Sequence, residues 1–325
     1  MSAEVKRYEV SADEDGMRLD RWFKVHFPQV TFAYLNKLTR TGQVRVGAGR
    51  VKTNARLAKG QDIRVPPLDF DRRPADAPKE DLAPLTAKER QLFNSMVIHE
   101  DKDLYVLNKP SGFAVQGGTK THTHLDGLLM GLGVELGERP LLVHRLDRDT
   151  SGVIVVAKRR AVASALGKMF ATRVVKKTYW AVVKGIPSPA QGRIDVALIK
   201  ARSEDGDRMR ASKAGEEDDE QEAVTQYALL GKSGGVSWLS LKPQTGRQHQ
   251  LRAHTAHIGT PILGDNKYGG DVDMPEGVAN RLHLHARRIV FPHPREGIVD
   301  VTAILPQHMI DTFDKFGFDA GRFDG

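Results

Sequence analysis

The 325-residue chain contains no cysteine. Disulfides, thiolate nucleophiles, zinc knuckles and iron–sulfur clusters are therefore excluded together, and with them the enzyme classes built on thiol or cluster chemistry. Long apolar runs are missing too. The opening residues, MSAEVKRYEVSADEDG, carry no apolar segment behind their basic residues, and no later stretch approaches the length of a membrane span. The expectation is a cytoplasmic protein with no membrane partner. Acidic side chains are outnumbered, 41 Asp and Glu against 49 Lys and Arg, a formal charge of +8. Such a balance favours a polyanionic partner, and by itself fits nucleic acid, an acidic membrane or an acidic protein.

What the chain does have is apolar content for a core: 40% of its residues are hydrophobic, enough for one large domain or two ordinary ones. The basic excess is uneven. Residues 1–66 hold 13 basic and 7 acidic side chains, so a net +6 of the +8 sits on a small body. There Leu19, Trp22, Phe23 and Phe27 recur at helical spacing. Thr31 is placed to cap a second helix carrying Phe32, Leu35 and Leu38, and Gly42 stops it. Short strands are expected at residues 44–46, near Val51 and at 63–65. Arg18, Arg21, Lys24, Lys37, Arg40, Arg45, Arg50 and Lys52 are candidates for a phosphate-contacting face. Charge alone fits a solvated surface equally well.

Pro66, Pro67, Pro74, Pro78 and Pro84 lie in charged sequence with almost no apolar periodicity, so residues 67–90 read as an extended, mobile linker. A second body then occupies residues 91–325. It opens with two short strands around an acidic turn at residues 98–110 and continues with a helix at 161–170 and a strand at 174–183. Residues 203–222, rich in Glu, Asp, Gly and Lys, read as a loosely ordered acidic insertion. Strands resume at 223–227 and 236–241, and the residues after Pro306 read as a peripheral helix and a frayed tail. Short strands with irregularly placed helices and no regular βαβ alternation indicate an α+β fold.

One stretch stands apart. Residues 140–158 read PLLVHRLDRDTSGVIVVAK: two apolar, β-branched runs flank a loop holding His144, Arg145, Asp147, Arg148, Asp149, Thr150 and Ser151. Most charged loops between strands only neutralise themselves in water. Asp149-Thr150-Ser151-Gly152 has turn chemistry, with side-chain oxygens for nearby backbone amides, so Asp149 reads as structural. Asp147 has no such local task.

His144-Arg145-Leu146-Asp147-Arg148-Asp149-Thr150-Ser151-Gly152 resembles the HRLDxxTSG signature of the RluA-type pseudouridine synthases. The resemblance continues at KPSGFAVQGG (KPxGxxVHxG), where Gln116 replaces a histidine with a side chain that hydrogen-bonds but does not titrate. It continues at KTYWAVVKG (KxYxAxVxG), at TGRQHQLRAH (TGRxHQIRxH) with Gly264-Asp265 and Tyr268-Gly269 beyond it, and at LHLHA and FPHP. At the N-terminus GMRLD, LTRTGQVRV and LAKGQDIRV resemble the S4 RNA-binding domain over residues 16–66, with Thr31-Phe32 in place of the usual Ser-Arg and Gly47-Ala48-Gly49 in place of an Asn-Gly turn. The resemblance covers nearly all of residues 16–305 apart from the linker and the insertion. The module order, with VQGG and TYWAVVKG, is most similar to the large-subunit ribosomal RNA synthases of the C/D subgroup.

That resemblance implies a catalytic domain with a mixed, mainly antiparallel sheet, acting as a monomer on RNA, with 23S ribosomal RNA as the first choice and transfer RNA as the alternative. It implies isomerisation of uridine to pseudouridine with no cofactor and no metal. Asp147 matches the nucleophile, attacking either the sugar or the base, and Tyr179 the active-site tyrosine that stacks on uracil. Arg252 matches the counter-charge that keeps Asp147 ionised, worth about 4 kcal/mol at ~4 Å and an effective dielectric near 20. Arg145 matches the residue used in base flipping. His144, Arg247 and Leu284 are further substrate contacts, and Arg18, Arg21, Lys37, Arg40 and Arg45 are the RNA contacts of the first module. His254 and His257 share a helical face, but with arginines crowding them and no carboxylate to complete a site they read as structural rather than as metal ligands. A non-catalytic RNA binder on the same fold would have no use for Asp147, and Asp147 with Asp149 is too compact for a glycosidase pair.

Overall fold

The computed structural model describes residues 5–68, 83–117, 123–203, 206–212, 220–270 and 273–323. The chain divides into two compact units, Met1–Asp81 and Leu82–Gly325.

In the first unit, β1 (Lys6–Glu9) is followed by α1 (Leu19–His26), α2 (Phe32–Arg40), β2 (Arg45–Val46), β3 (Gly49–Arg50) and β4 (Asp62–Val65). The strands form one antiparallel sheet in the order β1-β4-β2-β3. Helical spacing buries Leu19, Trp22 and Phe23 of α1 and Leu35 and Leu38 of α2 against Ile63 and Val65. Thr31 caps α2 by accepting from the Tyr34 N–H, and Gly42 ends the region with a left-handed backbone. Strand β1 has no signal of its own in the sequence. Arg18, Arg21, Lys37, Arg40 and Arg45 are all exposed. Arg18 is engaged with Asp20 at 2.5 Å, so its charge is partly spent locally.

The second unit contains α3 (Ala87–Met96), β5 (Val97–Glu100), β6 (Leu104–Lys109), α4 (Leu125–Leu136), β7 (Leu141–Leu142), β8 (Ser151–Ala157) and α5 (Arg160–Ala171). It continues with β9 (Lys176–Lys184), β10 (Gln191–Asp195), β11 (Leu198–Ser203), β12 (Gly206–Ala211), β13 (Val224–Ser233), β14 (Val236–Pro243), α6 (Gln250–His257), β15 (Leu284–Pro292), β16 (Ile298–Thr302) and α7 (Gln307–Phe316). A large sheet runs β10-β13-β14-β9-β15-β8-β6-β5, with β16 beside β15 and β7 beside β8. Its ladders are antiparallel except between β15 and β8. The architecture is α+β, with a mixed, mainly antiparallel sheet.

Strand β8 is buried on both faces, which explains its unbroken apolar run. Ile154 and Val156 pack with α3 and α4, while Val153 and Val155 pack with Val162 and Leu166 of α5. At its start Gly152 has φ +105 and sits between Lys109 of β6 and Ala286 of β15. A Cβ there would fall inside the backbone carbonyl of Ala286.

Three expectations need correction. The second body begins before residue 91. Thr86 and Glu89 form a capping box for α3, and Leu85 packs against Gly131 of α4, so residues 83–90 belong to the folded unit; residues 69–82 lie outside the described residues. Part of the acidic insertion is also ordered: β11 and β12 pair as a hairpin, and Met209 is buried against Leu198, Ala223 and Ala253. Residues 204–205 and 213–219 lie outside the described residues. Finally, the C-terminal helix is not peripheral. Met309 and Phe313 of α7 pack on Trp180 and Trp238, with Phe318 joining them.

Gly152→Ala is expected to lower stability by about 3 kcal/mol or more, since it combines a left-handed backbone with a backbone clash. Urea unfolding followed by circular dichroism measures it.

Candidate active site

The loop between β7 and β8 is held from beneath. The Lys109 ammonium, fully buried, donates to the carbonyls of Pro110, Phe113 and Arg148 at 2.9, 2.8 and 2.8 Å. Burial pushes its pKa down to about 7, but three acceptors for three protons favour the charged form, which alone can satisfy them all. Gly112 N–H also donates to the Arg148 carbonyl, and Ser111 Oγ donates to the Asp149 carbonyl. The KPSG turn is thus a cradle for the charged loop.

His144 is turned into this scaffold rather than toward a substrate. Its Nε2 accepts from the Val155 N–H at 2.9 Å and its ring stacks on Phe170, with centroids 4.6 Å apart. Burial pushes its pKa down to about 3, so the ring is neutral with its proton on Nδ1. It lines neither hollow beside Asp147. The expectation of a substrate contact is corrected to a structural role. Asp149 is structural by a different route from the expected one: its carboxylate pairs with Arg148 at 3.0 Å.

Asp147 remains a quarter exposed, and each of its oxygens faces one nitrogen: Oδ2 lies 3.9 Å from Arg252 Nη1, and Oδ1 lies 3.8 Å from His249 Nε2. Arg252, on α6 and buried, is itself fixed by Asp265, which accepts from its Nε and Nη2 at 2.8 and 2.7 Å. Asp265 also accepts from the Lys267 and Tyr268 N–H groups, both at 3.0 Å, and the Tyr268 ring lies 5.1 Å from the guanidinium carbon. One guanidinium therefore serves two carboxylates. Its attraction for Asp147 is smaller than that of an isolated pair, because Asp265 repels Asp147 from the same position.

A small hollow of about 190 Å³ beside Asp147 is lined by Leu146, Tyr179, Arg247, Leu251 and Leu284 among others. It opens next to a wider one of about 960 Å³ reached by Arg145, Gln116, Lys267 and Arg281. Arg145 is exposed and lines both. Arg247, also exposed, donates from Nε to the Glu222 carbonyl at 2.9 Å. Burial, reinforced by the charge of Asp147, holds the Tyr179 phenol well above its ordinary pKa. It stays protonated at neutral pH, which suits stacking on a base better than taking a proton.

His254 is buried and bonded at both nitrogens, to Thr225 Oγ1 and to the Val196 carbonyl, and has no vacancy for a metal. Another hollow, of about 690 Å³, lies on the opposite face of the sheet, where Thr178 and Trp180 point. Its lining holds no carboxylate or imidazole. The structure thus brings Asp147, Tyr179, Arg145, Arg247, Arg252 and Leu284 together and leaves His144 out. Sequence reasoning passed over His249, Asp265 and Tyr268. A buried arginine implies a buried carboxylate, and the Gly264-Asp265 step after α6 was the available signal.

Comparison with known proteins points to one family. Residues 103–257 match the family model described as RNA pseudouridylate synthase. The chain is 35% identical over 302 residues to ribosomal large subunit pseudouridine synthase C of Haemophilus influenzae, covering 91% of this chain and 90% of that one. It is 34% identical over 303 residues to the Escherichia coli K12 protein of the same name, covering 91% of each. Among solved structures, Human RNA Pseudouridylate Synthase Domain Containing 4 superposes with a TM-score of 0.59 at 29% identity, over 70% of this chain and 96% of that one. With Asp147 in the expected loop and Arg252 beside it, the chain belongs to the RNA pseudouridylate synthase family and is an enzyme of the isomerase class.

Proposed function

We propose that this enzyme converts uridines of large-subunit, 23S ribosomal RNA to pseudouridine in the cytoplasm. The observation that carries the chemistry is the carboxylate of Asp147 facing a hollow lined by an aromatic ring, Tyr179, and a leucine, Leu284, with a buried arginine beside it. The uridine base detaches at N1, turns and reattaches through C5, and the C5 proton is lost as N1 gains one. Nothing is oxidised and no cosubstrate is consumed, so the reaction needs no cofactor. Asp147 supplies the nucleophile and Arg252 its counter-charge. Tyr179 stacks on the base, worth roughly 1 to 3 kcal/mol by analogy with other aromatic platforms. Arg145, exposed at the mouth of both hollows, is placed to occupy the gap left by an extruded nucleotide, a step that costs a few kcal/mol. The ribosomal target is supported by the names of the relatives that match over nine-tenths of the chain.

The first unit is proposed as an S4-like RNA clamp, and the working enzyme as a monomer. Support for the clamp comes from its two amphipathic helices, its small sheet and the exposed Arg21, Lys37, Arg40 and Arg45. No helix among the described residues is long and apolar enough to cross a membrane.

Mapping pseudouridines in the RNA of a deletion strain tests the target. Specific sites in 23S ribosomal RNA are expected to disappear and to return on complementation; losses confined to transfer RNA would overturn the ribosomal assignment. A second measurement concerns the clamp. Deleting residues 1–80 is expected to weaken binding to a ribosomal RNA fragment and to flatten the plot of log affinity against log salt by ~0.7 to 0.9 for each phosphate contact removed. Equal slopes for the full and truncated chains would make the basic module a solvated surface.

A further inference from the structure

His249 occupies an unusual position. It is the residue before α6, and its backbone lies in the left-handed region at φ +51, which few residues other than glycine adopt and histidine enters more readily than most. Its ring lies between two groups. On one side Nδ1 is 2.9 Å from Tyr268 Oη; on the other Nε2 is 3.8 Å from Asp147 Oδ1.

Tyr268 Oη accepts from the Met209 N–H at 2.8 Å, and among the described residues His249 Nδ1, at 2.9 Å, is the acceptor within reach of its hydrogen, so the assignment that satisfies both groups has the hydroxyl donating to Nδ1. Burial holds the Tyr268 phenol above its ordinary pKa, so that hydrogen is retained at neutral pH. With Nδ1 accepting, the neutral imidazole carries its proton on Nε2, facing the nucleophile.

We propose that His249 is a positioning residue for the nucleophile: its Nε2–H holds Asp147 Oδ1 while Arg252 holds Oδ2, and the two close from 3.8 and 3.9 Å to hydrogen-bond distance as the base is seated. The inference rests on Asp147 being the nucleophile. It also gives the β11–β12 hairpin a part in the site, since Met209, on β12, sets the Tyr268 hydroxyl that sets the imidazole. The carboxylate is then gripped at both oxygens, one by a permanent charge and one by a neutral donor. This fixes its plane without neutralising it twice.

Two amide substitutions separate this role from a merely structural one. In His249→Asn the amide reaches only as far as Nδ1: it keeps the Tyr268 contact, suits the left-handed backbone, and cannot reach Asp147. In His249→Gln the amide nitrogen reaches the Nε2 position and can donate to Asp147. Tritium release from 5-tritiated uridine RNA in single turnover, with RNA affinity measured alongside, is expected to show His249→Asn slowed about tenfold or more at unchanged affinity. His249→Gln is expected to stay within about threefold of the parent.

The rate–pH profile supplies a readout that a structural role would not move. His249 is held below the ordinary imidazole pKa by burial and by the facing charges of Arg252 and Lys267, against the pull of Asp147 and Asp265. As pH falls through that pKa the ring gains a positive charge beside the nucleophile, so the parent enzyme loses rate there; the glutamine variant lacks that limb. A parental rate in His249→Asn, or equal slowing of both variants with the parental pH profile, would overturn the proposal. Asp147→Asn run in parallel keeps the two failures apart: turnover by that variant would overturn the nucleophile and this inference together. Its silence alongside a parental His249→Asn would overturn the inference alone.

Discussion

The buried pairing of Arg252 with Asp265 is the interaction on which the site depends. A guanidinium at this depth is tolerable only with a carboxylate bonded to it. Removing one partner of such a pair typically costs about 3 to 5 kcal/mol, because the other is left charged and unpaired. Asp265 meets the requirement twice over, accepting both guanidinium N–H groups and two backbone N–H groups from the turn after α6. The arginine is thereby immobilised with its remaining nitrogen facing Asp147. Its position is fixed by Asp265, and its field falls on Asp147.

The same division of labour runs through the rest of the site. The proposed nucleophile sits on a loop, where it can reach a substrate, while the groups beneath that loop are tied to rigid elements. Lys109 binds three carbonyls under the loop, His144 pins it to β8, and Gly152 admits β15 close enough for Ser151 Oγ to meet His285 Nδ1 at 2.9 Å. Strands β9 and β15, adjacent in the sheet, bring Tyr179 and Leu284 to the same hollow. A carboxylate flanked by Arg252 and His249 against an apolar wall that fits a planar base suits exchange of a glycosidic bond within one nucleotide.

Much of this could be read from the sequence, for identifiable reasons. The amphipathic spacing of α1 and α2, the Thr31 cap and the alternation of β9 are local signals, and they describe elements that form as expected. The charged loop was legible because its residue types are improbable in a self-neutralising turn. Helix α4 was not legible, because Gly127, Gly131 and Gly133 weaken helical propensity. Gly131 and Gly133 are explained only by tertiary approach, to Leu85 and to the Arg139 backbone. The hairpin β11–β12 reads as loose sequence because its order comes from Met209 packing on residues distant in the chain. His144 misled for the opposite reason: it neighbours Arg145 in sequence, yet its ring points into the scaffold. Asp265 and His249 carry roles that exist only once α6 is folded against the loop.

Arg252 holds Asp265 and faces Asp147 at the same time, and the rest of the site is arranged around that double task. Lysine at this position keeps the buried charge balanced but offers one flexible ammonium in place of a planar fork, so it cannot do both. Single-turnover conversion by Arg252→Lys at saturating RNA is therefore the most direct measurement. The expected result is a folded protein with RNA affinity near that of the parent and a rate lower by at least about tenfold. A parental rate would show that Asp147 does not depend on this guanidinium.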